Sequence, residues 1–422
     1  NCRPTKNAFI KSPEDINHNR MHNGMIKVVT GIRRSGKSYL LFTIFKDYLL
    51  SEGVDEDYII SIELDRLENK TYRDPYVILE QIKTQIIDSK DYYIFLDEVQ
   101  LLDEFEDVLN SLLHIKNVDV YVTGSNSKFL SKDIITEFRG RGDEVHVYPV
   151  SFREYMTVFN GDKYEGWSSY VRFGGLPLTV TMNSDEQRVE YLTRLFEETY
   201  IKDIIERNHI EKKQELNDLI NVLASGIGSL TNPSKIVATF HSAIQSDISL
   251  NTVRSYIEHL EDAFIISEAN RYDVKGRRYI GTPLKYYFED VGLRNARLGF
   301  RQVEETHLME NIIYNELRVR GFSVDVGVVM KRNRTEAGVQ EKKQLEIDFI
   351  ANQGSRRYYI QSAFSIPDEE KREQEKASLI NVGDSFKKII IVKDVVKPWH
   401  DDDGILTISL YDFLLDEKSL EL

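Results

Sequence analysis

The chain has 422 residues, 41% hydrophobic and 29% charged, the profile of an ordinary soluble globular protein of two or three domains. Its net charge of −14 argues against a protein that coats nucleic acid non-specifically, though not against a local basic patch. The one cysteine, Cys2, excludes an internal disulfide. No apolar run approaches the roughly 18 residues a membrane span needs. The first residues, Asn1 to Lys6, have no apolar core behind their basic groups, so no signal peptide is expected. A cytoplasmic location is the default expectation.

Met25 to Thr30 is apolar and β-branched and reads as a buried strand. Gly31-Ile32-Arg33-Arg34-Ser35-Gly36-Lys37-Ser38 follows, matching G-x-x-x-x-G-K-[ST] at every fixed position. Glycines let such a loop curl its N–H groups toward phosphate oxygens, and the next helix adds its positive end. Lys37 is expected to reach the β- and γ-phosphates of ATP, and Ser38 to place its hydroxyl on Mg²⁺. Tyr39 to Leu50 has helix length and an apolar face, so strand, loop and helix occur in the required order.

Tyr92 to Leu96 reads as a buried parallel strand ending in Asp97-Glu98. Ligands of parallel sheets sit beyond the carboxyl ends of strands. Asp97 is therefore expected to hold Mg²⁺ through its waters, and Glu98 to orient or activate the attacking water. Val118 to Thr123 is a further strand, followed by Gly124-Ser125-Asn126. Asn126, with Ser125, is a candidate to sense the γ-phosphate, although a turn after a strand favours the same residues. In Phe138-Arg139-Gly140-Arg141-Gly142, Arg141, and after it Arg139, could offset charge on the γ-phosphate, in cis or from a neighbour. A solvated basic turn is the competing reading.

From GIRRSGKS through IFLDEVQ and VTGSNS to FRGR, then VYPVSFREY and FGGLP, the chain resembles the prokaryotic AAA-type P-loop ATPases that carry a DUF4143 domain. Their ATPase part is called AAA_14 and is related to the archaeal ATPase group. The resemblance runs over nearly the whole chain. It implies an additional-strand, doubly wound ATPase core of roughly 150 residues.

Beyond Tyr155 the parallel-strand pattern stops, and residues 166–225 read mainly as helices with a turn at Gly174-Gly175-Leu176-Pro177. Asn232-Pro233 signals a helix start, and Ile248 to Leu260 reads as a second helix with Val253, Ile257 and Leu260 inward. Strand-like segments flank the basic tip Lys275-Gly276-Arg277-Arg278, which completes a winged helix-turn-helix layout. Asn251, Thr252, Arg254 and Ser255 could then face a DNA groove, and Lys275, Arg277 and Arg278 meet phosphates. A structural module with solvated charges fits the same pattern, and the acidity of the chain leans that way.

Residues 300–422 read as helix, strand, strand with Asp348, strand: the order of a PD-(D/E)xK nuclease core, again in line with the DUF4143 resemblance. Glu310 or Glu316, with Asp348, could ligate a metal. The strand that should carry E-x-K reads Gln361-Ser362-Ala363, so nuclease activity is not expected. Asp401-Asp402-Asp403 reads as a solvated acidic loop rather than a cation site.

The sequence thus predicts a multidomain α/β protein: a P-loop AAA-type ATPase core over 1–155, a helical and winged-helix domain over 156–299, and a degenerate nuclease-like domain over 300–422. The function it predicts is Mg²⁺-dependent ATP hydrolysis coupled to recognition of DNA or a protein partner. The alternative is an ATP-holding switch, or a DNA-binding module, with little turnover.

Overall fold

The computed structural model describes residues 20–124, 141–334 and 340–422. The chain forms two compact units. Unit 1 takes residues 1–150, 176–178 and 261–265; unit 2 takes 151–175, 179–260 and 266–422.

Unit 1 is built on five strands: β1 (Ile26–Thr30), β2 (Ile59–Glu63), β3 (Tyr92–Asp97), β4 (Val118–Thr123) and β5 (Gly142–His146). All pairings are parallel, and the spatial order is β2-β3-β4-β1-β5. An extra strand, β4, thus separates the loop-bearing β1 from β3. This is the additional-strand core the sequence resemblance implies.

Parallel strands are covered on both faces, which explains why β1 and β3 are buried along their whole length. One face packs Ile26, Val28, Ile94 and Val122 against helices Pro75–Gln85 and Phe105–Leu113 through Ile78, Ile82, Val108 and Leu112. The other packs Val29, Phe95 and Tyr121 against Leu41, Phe45 and Leu49. Those three residues belong to a continuous helical run, α-helical over Lys37–Tyr39 and Lys46–Ser51 with a π-helical segment Leu40–Phe45 between. Phe45 has no exposed surface, so its truncation to Ala would cost about 3–5 kcal/mol. The charged intruder in β1, Lys27, is neutralised by Asp119 on β4, which also accepts from Tyr121 Oη at 2.8 Å.

Unit 2 combines helices with an eight-stranded mixed sheet: β6 (Ile266–Asp273), β7 (Arg278–Phe288), β8 (Ser323–Arg334), β9 (Gln340–Gln353), β10 (Arg356–Ala363), β11 (Lys387–Val392), β12 (Trp399–His400) and β13 (Leu406–Ser409). Their order is β12-β13-β11-β10-β9-β8-β6-β7. The predicted wing, β6–β7, is therefore the edge of this sheet, held by parallel pairing of Arg271 to Asp273 with Val326 to Val328. A division at 299/300 falls inside one continuous sheet.

Local signals explain several helices. Asn232 Oδ1 accepts from Ser234 N at 2.9 Å ahead of Pro233–Thr239, the Asn-Pro start read from sequence. In the S-F-R-E segment, Ser151 and Glu154 form a reciprocal capping box that starts helix Phe152–Met156. The F-G-G-L-P turn has a comparable cause. Gly174 sits at φ +70°, and a Cβ there would fall 2.3 Å from Asp290 Oδ1. Asp290 accepts from Gly175 N at 2.7 Å and Leu293 N at 3.0 Å, and burial pushes its carboxyl up to about 6.

Candidate nucleotide site

The five strands of unit 1 end together. Register pairs Glu63 with Asp97, Val29 with Thr123 and Thr30 with His146, so Thr30, Glu63, Asp97, Thr123 and His146 share the carboxyl edge. The Gly31–Ser38 loop leaves this edge from β1.

The loop backbone takes conformations that its sequence explains. Gly31 and Gly36 have φ +136° and +100°, and Arg34 is left-handed at +68°. A Cβ on Gly31 would lie 2.3 Å from the Val147 carbonyl oxygen, so only glycine fits. Lys37 Nζ donates to the carbonyls of Gly31 at 2.9 Å and Ile32 at 3.1 Å, inside the curl of the loop. Burial lowers its pKa to about 8; Glu98 and Asp97 pull it back only in part, and Arg33 lowers it further. Ser35 Oγ is buried with no hydrogen-bond partner among the described residues. A desolvated cation and an unsatisfied hydroxyl in a glycine-lined curl suit a phosphate chain.

Asp97, 4% exposed, receives Ser38 Oγ on its Oδ1 at 3.0 Å, and Thr123 Oγ1 donates to the same oxygen. Burial raises its pKa, while those two hydroxyls lower it. Glu98 is left-handed at φ +52°, and its N–H donates to Thr123 Oγ1 at 3.2 Å. Thr123 therefore ties both carboxylate residues to β4. A non-glycine residue at positive φ costs roughly 1–2 kcal/mol, and here the turn aims Glu98 away from the strand line. Its Oε2 accepts from Gln100 Nε2.

Ligand oxygens of Glu63, Asp65 and Asp97 lie within 4.8 Å of one another. With Ser38 they form an all-oxygen donor set, which suits Mg²⁺.

Of the predicted residues, the structure brings Lys37, Ser38, Asp97 and Glu98 together. Asn126, like Ser125 and Arg139, lies outside the described residues. Arg141 lies apart from the loop within one chain. Its carbonyl accepts from Ile26 N at 2.8 Å, and Gly142 pairs with Ile26, so it sits at the amino edge of the sheet. That is the length of β1 away from the loop, about 13 Å at ~3.3 Å per residue, so it does not join the loop in cis. Sequence reading missed Thr123, Glu63 and Asp65. The signal for the last two was Ile-Ser-Ile-Glu, an alternating strand ending in acid as β3 does.

The family model described as AAA domain matches residues 23–156, and one described as a domain of unknown function (DUF8612) matches 164–304. An uncharacterised protein of Haemophilus influenzae is 33% identical over 396 residues, covering 92% of this chain and 94% of its own length. The chain belongs to the family of that protein. Its N-terminal region is an AAA domain of the P-loop type. Within the same comparison, an uncharacterised protein of Methanocaldococcus jannaschii is 27% identical over 368 residues, 83% of this chain and 77% of that protein. The solved structure of the Aeropyrum pernix ORC1 protein in complex with DNA aligns with 65% of this chain and 86% of its own. At 14% identity and a TM-score of 0.25 that likeness carries no argument. The DUF4143 resemblance of the C-terminal residues is not confirmed by these matches.

Proposed function

We propose that the AAA domain binds ATP with Mg²⁺ at Gly31–Ser38 and hydrolyses it. The observation that carries this reading is the hydrogen-bonded chain Ser38–Asp97–Thr123–Glu98 at one sheet edge, beside a lysine stripped of water. Loop N–H groups and Lys37 would bind the phosphates. Ser38 and Asp97, with Glu63 and Asp65 nearby, would hold Mg²⁺, which supplies charge neutralisation on the β- and γ-phosphates. Glu98 would orient or deprotonate the attacking water. Arg141 could act only from a second copy of the chain. The test is phosphate release with Mg²⁺: the reading predicts turnover abolished by Lys37→Ala and Glu98→Gln, and no release from the unaltered chain would end it.

One observation favours a slower device. Glu98 Oε2 accepts from Gln100, a contact that would restrain the carboxylate, and an ATP-holding switch is the second reading. Gln100→Ala then raises the rate if the contact restrains Glu98.

For partners, we propose DNA contact through unit 2. Asn251 and Arg254 are exposed on helix Leu250–Asp262, as are Lys275, Arg277 and Arg278 at the hairpin tip. Thr252 and Ser255 are engaged locally, by Ser249 and His259, which narrows the groove-facing set. A shift assay across salt tests this: no binding at low salt, or binding unchanged in Lys275/Arg277/Arg278→Ala, would remove DNA as the partner. No helix among the described residues is long and apolar enough to cross a membrane.

A further inference from the structure

The second acidic site expected from the sequence, in the C-terminal region, needed Asp348 with Glu310 or Glu316. The structure chooses between them. Glu316 is occupied one turn along its own helix, accepting from Arg320 Nε at 2.7 Å. Glu310 joins Asp348, and Glu346 joins both, around one atom that sequence reading did not consider. Lys285 Nζ lies 2.9 Å from Glu310 Oε1, 2.8 Å from Glu346 Oε1 and 4.0 Å from Asp348 Oδ1.

The surroundings fix those groups. Lys285 stands on β7 with its side chain 4% exposed. Tyr287 Oη donates to Glu310 Oε1 at 2.7 Å, and Ser362 N donates to Asp348 Oδ2 at 2.8 Å. Burial alone would drive the ammonium to lose its proton; the three carboxylates outweigh it and hold it charged. Burial and the neighbouring Glu310 push Asp348 up to about 8, with Lys285 opposing. Lys285 thus meets Glu310 and Glu346 directly, while Asp348, 4.0 Å away, is inclined to keep its proton.

The residues do not fit a resident divalent ion. Such an ion needs several oxygens at about 2.0–2.6 Å, and Glu310 and Glu346 already spend an oxygen each on Lys285. The next strand offers no replacement. Gln361 Oε1 accepts from Ser378 Oγ at 3.2 Å, and Ala363 is packed in the apolar cluster with Val329, Ile347 and Leu379. A metal would also have to expel an ammonium tethered to the sheet, which loses little freedom by staying. The same solution recurs in this unit. The acidic loop at 401–403 is met by buried Lys376, whose Nζ lies 3.0 Å from Asp401, 2.6 Å from Asp403 and 3.3 Å from Glu373.

We infer that Lys285 fills the cation position of the Glu310–Glu346–Asp348 site, so that this site is held together without a metal and is closed to one. The inference is independent of the nucleotide site.

The test is Mn²⁺ binding to the full chain without nucleotide, followed by electron paramagnetic resonance, in an Asp97→Asn background that silences the loop carboxylate. The parent is expected to show no site that depends on Asp348. Lys285→Met is expected to gain one, on the order of a hundredfold tighter than any residual binding, since one buried positive charge has gone. Adding Asp348→Asn removes it again. Parent binding that is lost with Asp348→Asn overturns the inference, as does a folded Lys285→Met that gains nothing. A second measurement needs no variant at that lysine: acylation of amines, mapped by mass spectrometry. Lys285 stays unmodified with or without millimolar Mn²⁺; labelling that rises with Mn²⁺ means the ion displaces it and overturns the inference.

Discussion

Two buried lysines mark the two regions of this protein, and their environments push them in opposite directions. Lys37 donates to two loop carbonyls and has no carboxylate in direct contact among its hydrogen bonds, and burial lowers its pKa to about 8. Lys285 touches carboxylates directly and is raised. The first is a cation short of counter-charge in a concave loop, the electrostatic form of an anion-binding site. The second is a cation fully met from within, the form of a structural centre. Burial of a lysine alone therefore says nothing about function; the identity of its partners does.

The largest effect that sharpens this contrast is expected at Glu98. If it serves as the base, Glu98→Gln lowers ATP turnover by roughly 10²–10⁴-fold with ATP affinity kept, measured by phosphate release and equilibrium binding. Affinity falling in parallel would make Glu98 a binding group instead. Lys285→Ala comes next: Glu310 and Glu346 lose their buried counter-ion, at about 3–5 kcal/mol in urea unfolding. A loss under ~1 kcal/mol would mean that the centre is solvated.

A smaller effect concerns pH. Lys37 is held near 8, so above that pH the free protein carries it neutral, and an arriving phosphate chain must draw a proton back. ATP affinity should fall as pH rises from 8 to 9, by up to about tenfold per unit, with proton uptake visible as a buffer-dependent binding enthalpy. Flat affinity across that range would contradict the desolvated loop. The smallest effect is at Arg141, where Ala should leave turnover unchanged at dilutions that keep the chain monomeric, because this residue lies at the far edge of the sheet. A loss under those conditions would break the assignment of edges.

What was legible in the sequence was contiguous. The loop, its helix and Asp97-Glu98 each occupy a few neighbouring positions whose residue types the chemistry dictates. Thr123 was passed over because it closes a strand, and its role depends on β4 lying between β1 and β3, a neighbour relation set by long-range pairing. Arg141 is out of reach in cis for a related reason: FRGR follows β4 in the chain, but β5 runs parallel to β1, which returns its first residue to the amino edge. Lys285 sits in Leu-Lys-Tyr-Tyr-Phe, where alternation would place a lysine in solvent, and its partners come from a distant helix and strand. Asp290 carries no motif, yet it accepts from Gly175 N in the turn while capping the helix Val291–Arg297 through Leu293 N. The hairpin read as a wing looked independent because its pairing with β8 spans residues far apart in the chain.

The central claim, that Gly31–Ser38 is an ATP site whose desolvated lysine meets the phosphates, is tested most directly by calorimetric titration of ATP·Mg²⁺ into the chain and into Lys37→Ala. The account predicts one site in the former, with proton uptake at pH 8.5, above the pKa of about 8 to which burial lowers Lys37, and binding weakened by about 10²–10³-fold in the latter. Equal binding by the two proteins would contradict it.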